Sequence, residues 1–197
     1  KMQTVVAWNG HLWSSQDTGT TWTDQSSLGN QYWISVAMSA DGKYQTAVVA
    51  NGKIWISSDY GAHWANPTTY PSANIWWSTV SMSGSGQVQA VGTGNGTTPI
   101  NLCTSSNYGV DWSCNSSYSS DNFQHVSVSY DGSQISAGST SNMYKFTGGT
   151  SWSVMRSGGG YPIMMSSNGT VRASDCGGTL YRSTDSGVTW SSMNIGN

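Results

Sequence analysis

Short stretches of alternating apolar and polar residues follow one another along the chain, and each ends in a turn sequence rich in Gly, Asp, Asn or Ser. The clearest stretch is YWISVAMSADG at 32–42. Three later segments match it: IWWSTVSMSGSG at 75–86, NFQHVSVSYDG at 122–132 and YPIMMSSNG at 161–169. Such alternation predicts half-buried strands joined by tight turns. No stretch carries the apolar period of a helix, so the pattern predicts an all-β chain.

A longer repeat contains these strands. Residues 1–22 (KMQTVVAWNGHLWSSQDTGTTW) align without a gap to 43–64 (KYQTAVVANGKIWISSDYGAHW). The end of that unit recurs as SSNYGVDW at 105–112 and STDSGVTW at 183–190, and in a degenerate form as TGGTSW at 147–152. The Trp residues that close the five copies are 42, 48, 40 and 38 residues apart, which is the length of a four-stranded propeller blade. The repeat therefore predicts a five-bladed β-propeller.

The closing segment has the pattern S-x-D-x-G-x-x-W, which suits a tight turn between the two outer strands of a blade. The Asp side chain accepts hydrogen bonds from backbone N–H groups of its own turn. The Gly adopts positive φ without steric cost, and the Trp packs back over the turn. Asn107 replaces the Asp in the third copy, and Thr147 replaces it in the fourth, which is expected to be the loosest turn. The residues assigned to this structural role are Asp17, Gly19, Trp22, Asp59, Gly61, Trp64, Asn107, Gly109, Trp112, Trp152, Asp185, Gly187 and Trp190.

This pattern resembles the Asp-box, or BNR repeat, of the sialidase-like propeller superfamily. The resemblance extends over nearly the whole chain, because each copy lies in a unit as long as one blade. It implies a single propeller domain over 1–197, with blades at approximately 1–30, 31–70, 71–118, 119–157 and 158–197.

The first repeat unit begins one strand later than the others. Lys1 aligns with Lys43, which directly follows the Asp41-Gly42 turn at the end of an initial strand. The first blade is therefore expected to lack its initial strand. Sequence upstream of Lys1 is expected to fill the open edge, and association with another chain is the alternative.

Composition narrows the class of protein. Only 8% of the 197 residues are charged, with nine Asp and no Glu, and the formal net charge is −2. Eleven Trp and ten Tyr supply too much buriable aromatic surface for a disordered chain. No apolar run is long enough to span a bilayer, and seven scattered basic residues give no footprint for nucleic acid. Three N-x-S/T sequons, at Asn95, Asn115 and Asn168, and the few lysines favour an extracellular or secreted protein.

The resemblance raises the question of glycoside hydrolysis. It implies, for a catalytic member, three Arg that hold a carboxylate, a Tyr nucleophile helped by Glu, and an Asp acid/base. This chain has no Glu, and Arg156, Arg172 and Arg182 all lie in its last quarter. Most Asp residues belong to turns or flank them, which leaves only Asp121 and Asp175 as unassigned carboxylates. We therefore expect no catalytic residues.

No metal or cofactor is expected either. His11, His63 and His125 show no metal-ligand spacing. His125 lies on a first strand, which lines the channel of a propeller, and it is either a hydrogen-bonded channel residue or a ligand contact.

The cysteines fit the same hairpin geometry. Cys103 lies four residues before Asn107 and Cys114 seven residues after it, so the two oppose each other if the strands pair across the turn. They form either a cross-strand disulfide or two small buried apolar positions. Cys176 is expected to be a buried free thiol.

Aromatic residues are the best candidates for ligand binding. Trp33, Trp77 and Phe123 occupy matching positions at the start of a first strand, and Tyr32, Trp76 and Asn122 precede them. A ring face stacks on sugar C–H groups while nearby amides and hydroxyls bind sugar hydroxyls. Packing in the core is the competing interpretation.

These observations lead to a non-catalytic, lectin-like module that binds neutral carbohydrate at repeated inter-blade sites. One alternative is a structural or assembly domain of an extracellular or virion surface protein. The other is a degenerate sialidase-like glycoside hydrolase. A propeller fold by itself does not decide between them.

Overall fold

The structure is a computed structural model that describes residues 1–69, 71, 74–94, 102–117, 121–149, 151–160 and 162–193. These residues form five antiparallel sheets, one of three strands and four of four strands. The one helical element among them is a 3-10 turn at Ser26–Leu28. None of the described helical structure is long and apolar enough to cross a membrane. The predicted all-β, five-bladed propeller is confirmed.

The first two sheets follow the repeat detected in the sequence. Blade 1 consists of β1 (Gln3–Val6), β3 (Leu12–Ser15) and β4 (Thr23–Asp24). Blade 2 consists of β5 (Gln31–Met38), β6 (Gln45–Val49) and β7 (Ile54–Ser57). The short strand β2 (Trp8–Gly10), in the turn between β1 and β3, pairs with the start of β5 and so belongs to the sheet of blade 2.

The remaining three blades each have four strands. Blade 3 consists of β8 (Trp77–Met82), β9 (Gln89–Thr93), β10 (Leu102–Ser105) and β11 (Ser113–Asn115). Blade 4 consists of β12 (Phe123–Val128), β13 (Ile135–Ser139), β14 (Asn142–Gly148) and β15 (Ser151–Ser157). Blade 5 consists of β16 (Ile163–Met165), β17 (Arg172–Cys176), β18 (Thr179–Ser183) and β19 (Ser191–Ser192).

Among the residues that the structure describes, blade 1 has no counterpart of the initial strands β5, β8, β12 and β16. Within the described residues, β1 pairs only with β3, whereas its counterpart β6 pairs with both β5 and β7. The predicted first blade without its initial strand is therefore confirmed.

A turn between the first and second strands recurs in blades 2 to 5. It begins at a Ser whose hydroxyl accepts the backbone N–H five residues later, at 2.9 Å for Tyr44 on Ser39 and 3.2 Å for Val88 on Ser83. A backbone series joins these turns from blade to blade. Ala40 N–H donates to the Gly84 carbonyl at 2.8 Å, Gly84 N–H to Tyr130 at 2.7 Å, and Tyr130 N–H to Ser167 at 2.7 Å.

The core lies between the blades and not within them. One cluster joins blades 1 and 2 and contains Leu12, Trp33, Ala47 and Val49. Larger clusters join blade 2 to blade 3 and blade 3 to blade 4. Each strand has two faces because successive side chains alternate, so blades 2 and 3 each pack one face on the preceding blade and the other on the following blade.

The predicted disulfide is confirmed. Cys103 on β10 lies directly opposite Cys114 on β11, and the two sulfur atoms are bonded. The thiol of Cys176 is free, as predicted, but the prediction that it is buried is wrong, because the residue is partly exposed. It lies at the end of β17 beside Gly158, Gly159, Gly177 and Gly178, which have no side chains to cover it.

Candidate functional site

The four complete S-x-[D/N]-x-G-x-x-W turns, called box turns below, share one hydrogen-bond network. In the first, the Ser15 hydroxyl donates to Asp17 Oδ1 at 2.8 Å and accepts the Gly19 N–H at 2.8 Å. Asp17 also accepts the Thr21 N–H at 2.9 Å and the Thr21 hydroxyl at 2.7 Å. The indole N–H of the closing Trp donates to the Gly carbonyl three residues earlier, at 2.8–3.2 Å in Trp22, Trp64, Trp112 and Trp190. The box residues therefore close the turn by satisfying its backbone.

Two consecutive residues of each box turn have positive φ. The Gly residues at 19, 61, 109 and 187 do so at 75° to 86°. The residue before each Gly is also left-handed although it carries a side chain, with φ of 58° to 64° at Thr18, Tyr60, Tyr108 and Ser186. The network holds these four residues in a region that L-residues rarely adopt.

The third box turn exchanges the roles of two side chains. Asn107 accepts the Ser105 hydroxyl and the Asp111 N–H, each at 3.0 Å, as an Asp would. Its amide then donates to Asp111 Oδ2 at 2.9 Å. The carboxylate missing at position 107 is thus supplied four residues later, a compensation that sequence reasoning missed.

Among the described residues, the fourth copy does not form this network. Thr147 Oγ1, near the end of β14, donates to the Ser151 carbonyl on β15 at 3.1 Å. Trp152 is buried against Phe146, with the ring centroids 5.3 Å apart. Trp152 is therefore a core residue of blade 4 and does not close a box turn.

The box carboxylates are held in their ionised form. Hydrogen bonds from the Thr21 N–H and hydroxyl and from the Ser15 hydroxyl lower the pKa of Asp17 to about 2. The Thr189 hydroxyl and N–H and the Ser183 hydroxyl lower the pKa of Asp185 to about 2. At Asp59, partial burial raises the pKa, but donors from His63 and Ser57 outweigh it and the net shift is downward.

The first-strand aromatics Trp33, Trp77 and Phe123 are core residues. Their side chains are at most 2% exposed, so they offer no ring face to a ligand, and the predicted stacking role is wrong for all three. The reason is that the start of each first strand packs on the preceding blade. Trp33 lies in the cluster with Leu12, for example, and Trp77 lies in the cluster with Ile54.

The residue before each buried aromatic is exposed in blades 2 and 3 and half-buried in blade 4. Tyr32, Trp76 and Asn122 are equivalent, because each backbone carbonyl accepts an N–H from the end of the second strand: from Ala50, Gly94 and Thr140 respectively. Tyr32 is 49% exposed and Trp76 is 39% exposed. Asn122 supplies an amide at this position in blade 4, and its Oδ1 is buried without a hydrogen-bond partner among the described residues.

A third exposed ring, that of Trp8, lies next to Tyr32 and Trp76. Trp8 on β2 is 56% exposed and lies opposite Tyr32 in the strand pairing. Its ring centroid is 5.0 Å from that of Tyr32 and 6.5 Å from that of Trp76, with interplanar angles of 46° and 48°. We call Trp8, Tyr32 and Trp76 the aromatic surface. It spans blades 1 to 3 where the turn of one blade meets the first strand of the next.

Sequence reasoning missed Trp8, although the repeat contains a signal for it. In the gapless alignment of 1–22 with 43–64, Trp8 takes the position of Ala50. Because Trp8 departs from an otherwise matching repeat at a turn position, the repeated fold does not require an aromatic side chain there. The structure shows that it adds a ring to the exposed side of β5.

Two cavities of about 420 Å³ each lie elsewhere, next to the box turns. One is lined by residues of blades 2 and 3, including Tyr44, Trp64 and Tyr108. Tyr44 stacks on Tyr108 with centroids 4.2 Å apart, so these two rings already cover each other's faces. Within the part of the chain that the structure describes, the aromatic surface brings three exposed rings together.

The unassigned polar residues take structural positions. Asp121 is buried and accepts the Tyr144 hydroxyl at 2.5 Å and the Ser139 hydroxyl at 3.1 Å. Asp175 accepts the Gly178 N–H at 2.9 Å within its own turn. His125 is exposed on β12, and partial desolvation lowers its pKa. Within the described residues, no three His, Cys or Asp side chains come together as a metal site would require.

Comparisons with known proteins agree with this architecture. No family model matches the chain, and no curated protein matches it. Among solved structures, it is similar to the GH74 xyloglucanase of Xanthomonas campestris, with 17% identity and a TM-score of 0.68 over 96% of this chain and 35% of that one. An ancestral GH74 enzyme is 17% identical, with a TM-score of 0.73 over 97% of this chain and 30% of that one. YCF48 from Cyanidioschyzon merolae is 15% identical, with a TM-score of 0.67 over 98% of this chain and 69% of that one.

The chain thus spans about a third of the length of the GH74 enzymes that it matches. Another similar structure is YCF48 bound to a D1 peptide, with 15% identity and a TM-score of 0.57 over 96% of this chain and 76% of that one. Sequence identities this low support a shared fold but do not support a shared activity. The comparisons place the chain among β-propeller proteins.

Proposed function

We propose that this chain is a non-catalytic binding module that takes neutral glycans on the aromatic surface of Trp8, Tyr32 and Trp76. The observation that carries the proposal is the group of three exposed rings with centroids 5.0 and 6.5 Å apart. Tilted neighbouring rings offer their faces to successive C–H patches of a sugar chain. Ordinary surface aromatics are scattered singly and need no such explanation.

The charge of the chain favours a neutral ligand. Only seven of its residues are Lys or Arg, and Arg172, one of the three Arg, is buried. Recognition of a carboxylate or sulfate would call for accessible Arg in bidentate geometry. Hydroxyl groups instead need short polar donors and acceptors, in which this chain is rich. Individual sites are expected to be weak, near millimolar, or about 4 kcal/mol each.

Two observations support binding without catalysis. The chain has no Glu, and the box carboxylates whose pKa is lowered are committed to turn donors. A general acid for glycoside cleavage needs the opposite, a raised pKa. The assignment to the Asp-box, sialidase-like superfamily is part of this proposal. So is an extracellular location, with which the disulfide is compatible.

The test compares two adjacent tryptophans. Trp76→Ala removes an exposed ring, and it should weaken binding about two- to tenfold, given ~0.5–1.5 kcal/mol per aromatic contact, with little loss of stability. Trp77→Ala removes a core ring and should cost about 3–5 kcal/mol of stability. Binding is measured by NMR titration with neutral oligosaccharides, first with xyloglucan fragments because one similar structure is a xyloglucanase. Unfolding is measured in urea.

Trp8→Ala is the second binding variant, since Trp8 lies between the other two rings. Unchanged affinity in both Trp76→Ala and Trp8→Ala would contradict the proposal. Release of reducing ends from the oligosaccharides by the wild-type chain would favour the glycoside hydrolase alternative.

A structural or assembly role is the second candidate. It is favoured by the similarity to a propeller whose structure was determined with a bound peptide. Absence of binding to any neutral glycan, together with binding of a peptide, would support this role.

A further inference from the structure

The box turn of a blade packs on the blade before it. A methyl group placed on Gly109 in the box turn of blade 3 would lie 3.0 Å from Ile56 Cγ2 of blade 2. Gly187 in the box turn of blade 5 is in close contact with Met155 of blade 4 in the same way. These turns therefore cover the junction between two blades at one end of the strands.

Blade 4 lacks the box network among its described residues, and its junction with blade 3 differs accordingly. At the junction of blades 2 and 3, Tyr108 of the box turn stacks on Tyr44, with the ring centroids 4.2 Å apart. Counted along the third strands, Gly149 of blade 4 takes the place of Tyr108. Val88 takes the place of Tyr44, because each directly precedes the second strand of its blade. Neither ring of the stacked pair is therefore present at the junction of blades 3 and 4.

The cleft at this junction, about 420 Å³ in volume, has an apolar wall. We call it the 3–4 cleft. The wall consists of Val88, Ile135 and Phe146, of which Val88 and Phe146 are only partly buried and pack on the core cluster between the two blades. Ile135 is the first residue of its second strand, and in blades 2, 3 and 5 that position is polar: Gln45, Gln89 and Arg172. The loss of the box turn thus coincides with an apolar wall that is particular to blade 4.

A carboxylate without an ion-pair partner lines the same cleft. Asp111 is exposed, and its Oδ2 accepts the Asn107 amide at 2.9 Å. The equivalent pair in blade 2 is Asp59 with His63, where the imidazole Nδ1 lies 2.6 Å from the carboxylate. No Lys, Arg or His among the described residues forms an ion pair with Asp111. The 3–4 cleft therefore combines an apolar wall with an uncompensated negative charge.

We propose that the 3–4 cleft binds an aromatic side chain of a partner polypeptide that carries a Lys or Arg beside it. The ring packs on the apolar wall as Tyr108 packs on Tyr44 at the preceding junction. The basic group lies next to Asp111 and supplies the cation that this carboxylate lacks within the chain. The cleft and the aromatic surface lie at opposite ends of the blades, because the box turns follow the third strands and the aromatic surface lies where the first strands begin. The proposal is therefore independent of glycan binding.

The experiment titrates the blocked tripeptide Lys-Tyr-Lys into the isotope-labelled chain at low ionic strength and follows backbone NMR shifts. The shifts should change at Val88, Ile135 and Phe146. Lys-Ala-Lys should bind about tenfold more weakly, because it has no ring to bury. Glu-Tyr-Glu should bind about two- to fivefold more weakly, because its charges are repelled by Asp111.

Two variants test the wall and the charge separately. Gly149→Tyr supplies the missing ring: Gly149 has φ of 58°, close to the 64° of Tyr108, and no atom lies within 4 Å of the place of its Cβ. It should bind Lys-Tyr-Lys about tenfold more weakly. The matched control is Gly177→Tyr, at φ of 61° with the same free space in a turn of blade 5, and it should bind as the wild type does. Asp111→Asn should remove the preference for Lys-Tyr-Lys over Glu-Tyr-Glu.

Circular dichroism confirms that each variant is folded, and Asp111→Asn keeps the test decisive if Gly149→Tyr is not. Equal affinity of the wild type for Lys-Tyr-Lys and Lys-Ala-Lys would overturn the proposal. So would shift changes centred on the aromatic surface, or a neutral oligosaccharide that binds in the 3–4 cleft where the peptide does not. A preference for Lys-Tyr-Lys that persists in Asp111→Asn would overturn the role of the carboxylate.

Discussion

At the residue scale, side-chain oxygens accept backbone N–H groups in the box turns and in the turns between the first and second strands. Ser15, Asp17 and Thr21 close one box turn, and Ser39 with Asp41 closes an inner turn, where the Ser39 hydroxyl donates to Asp41 at 2.6 Å. Short polar side chains suit this role because they reach the backbone of their own turn. This explains how a chain with few charges can hold so many short strands in register.

The lowered pKa values lead to a pH dependence. Asp17 and Asp185 titrate at about 2 in the folded chain, below the value of about 3.9 of an unfolded Asp. The unfolded state therefore binds protons first, and the stability contributed by these carboxylates is complete above about pH 4 and is lost as the pH falls towards 2. Urea unfolding at several pH values should show this loss in the wild type. The Asp17→Asn, Asp185→Asn double variant should lose less, and an identical pH profile would refute the prediction.

Arg172 shows how one position of the repeat is filled by different chemistry. It is fully buried in blade 5 at the position of Gln45 and Gln89. Its Nε donates to the Gly169 carbonyl at 3.2 Å, as the Gln89 amide does to Gly86 at 2.9 Å, and its Nη2 donates to Gln134 Oε1 at 2.9 Å. Burial lowers its pKa. This Arg is therefore a junction residue and not a ligand for a carboxylate.

At the element scale, the third blade differs from the others by its covalent link between β10 and β11. The Cys103–Cys114 bond closes a short loop that contains the box turn of Asn107 and Gly109. The link holds the two outer strands together where the box has an amide instead of a carboxylate.

Reduction of this bond should therefore destabilise the chain by about 2–3 kcal/mol, because the unfolded chain regains the entropy of an open loop. The measurement is urea unfolding of the oxidised and reduced protein, both carrying Cys176→Ser so that the free thiol of Cys176 does not exchange. Equal unfolding midpoints in the two redox states would contradict the prediction.

At the scale of the whole molecule, stability comes from the junctions between blades. The apolar clusters each combine residues of one blade with residues of the next. The stability of repeat proteins depends on such nearest-neighbour contacts.

Leu12 in blade 1 and Leu180 in blade 5 take the same position on the third strand, opposite the fourth residue of the second strand, and should respond differently to truncation. Leu12→Ala should cost about 2–5 kcal/mol because the side chain is fully buried between blades 1 and 2. Leu180→Ala should cost about 1 kcal/mol or less because the side chain is 36% exposed. Both are measured by urea unfolding. A similar cost at both positions would contradict the prediction.

The fold could be predicted because the sequence contains several copies of the same pattern of strands and turns. The gapless match of 1–22 with 43–64 fixes strands, turns and blade length together, and the pairing of Cys103 with Cys114 follows from the same hairpin. The fourth copy was harder to interpret, because Trp152 keeps its spacing while its environment has changed to that of the core.

The sequence by itself determined the local structure: strand periodicity, turn chemistry and the number of blades, all of which depend on residues close together in the chain. Only the tertiary structure decided which aromatics are exposed. Trp76 and Trp77 are neighbours in the chain, yet one is 39% exposed and the other is fully buried. The alternation of a strand gives two faces, but which face is covered depends on a blade about forty residues away.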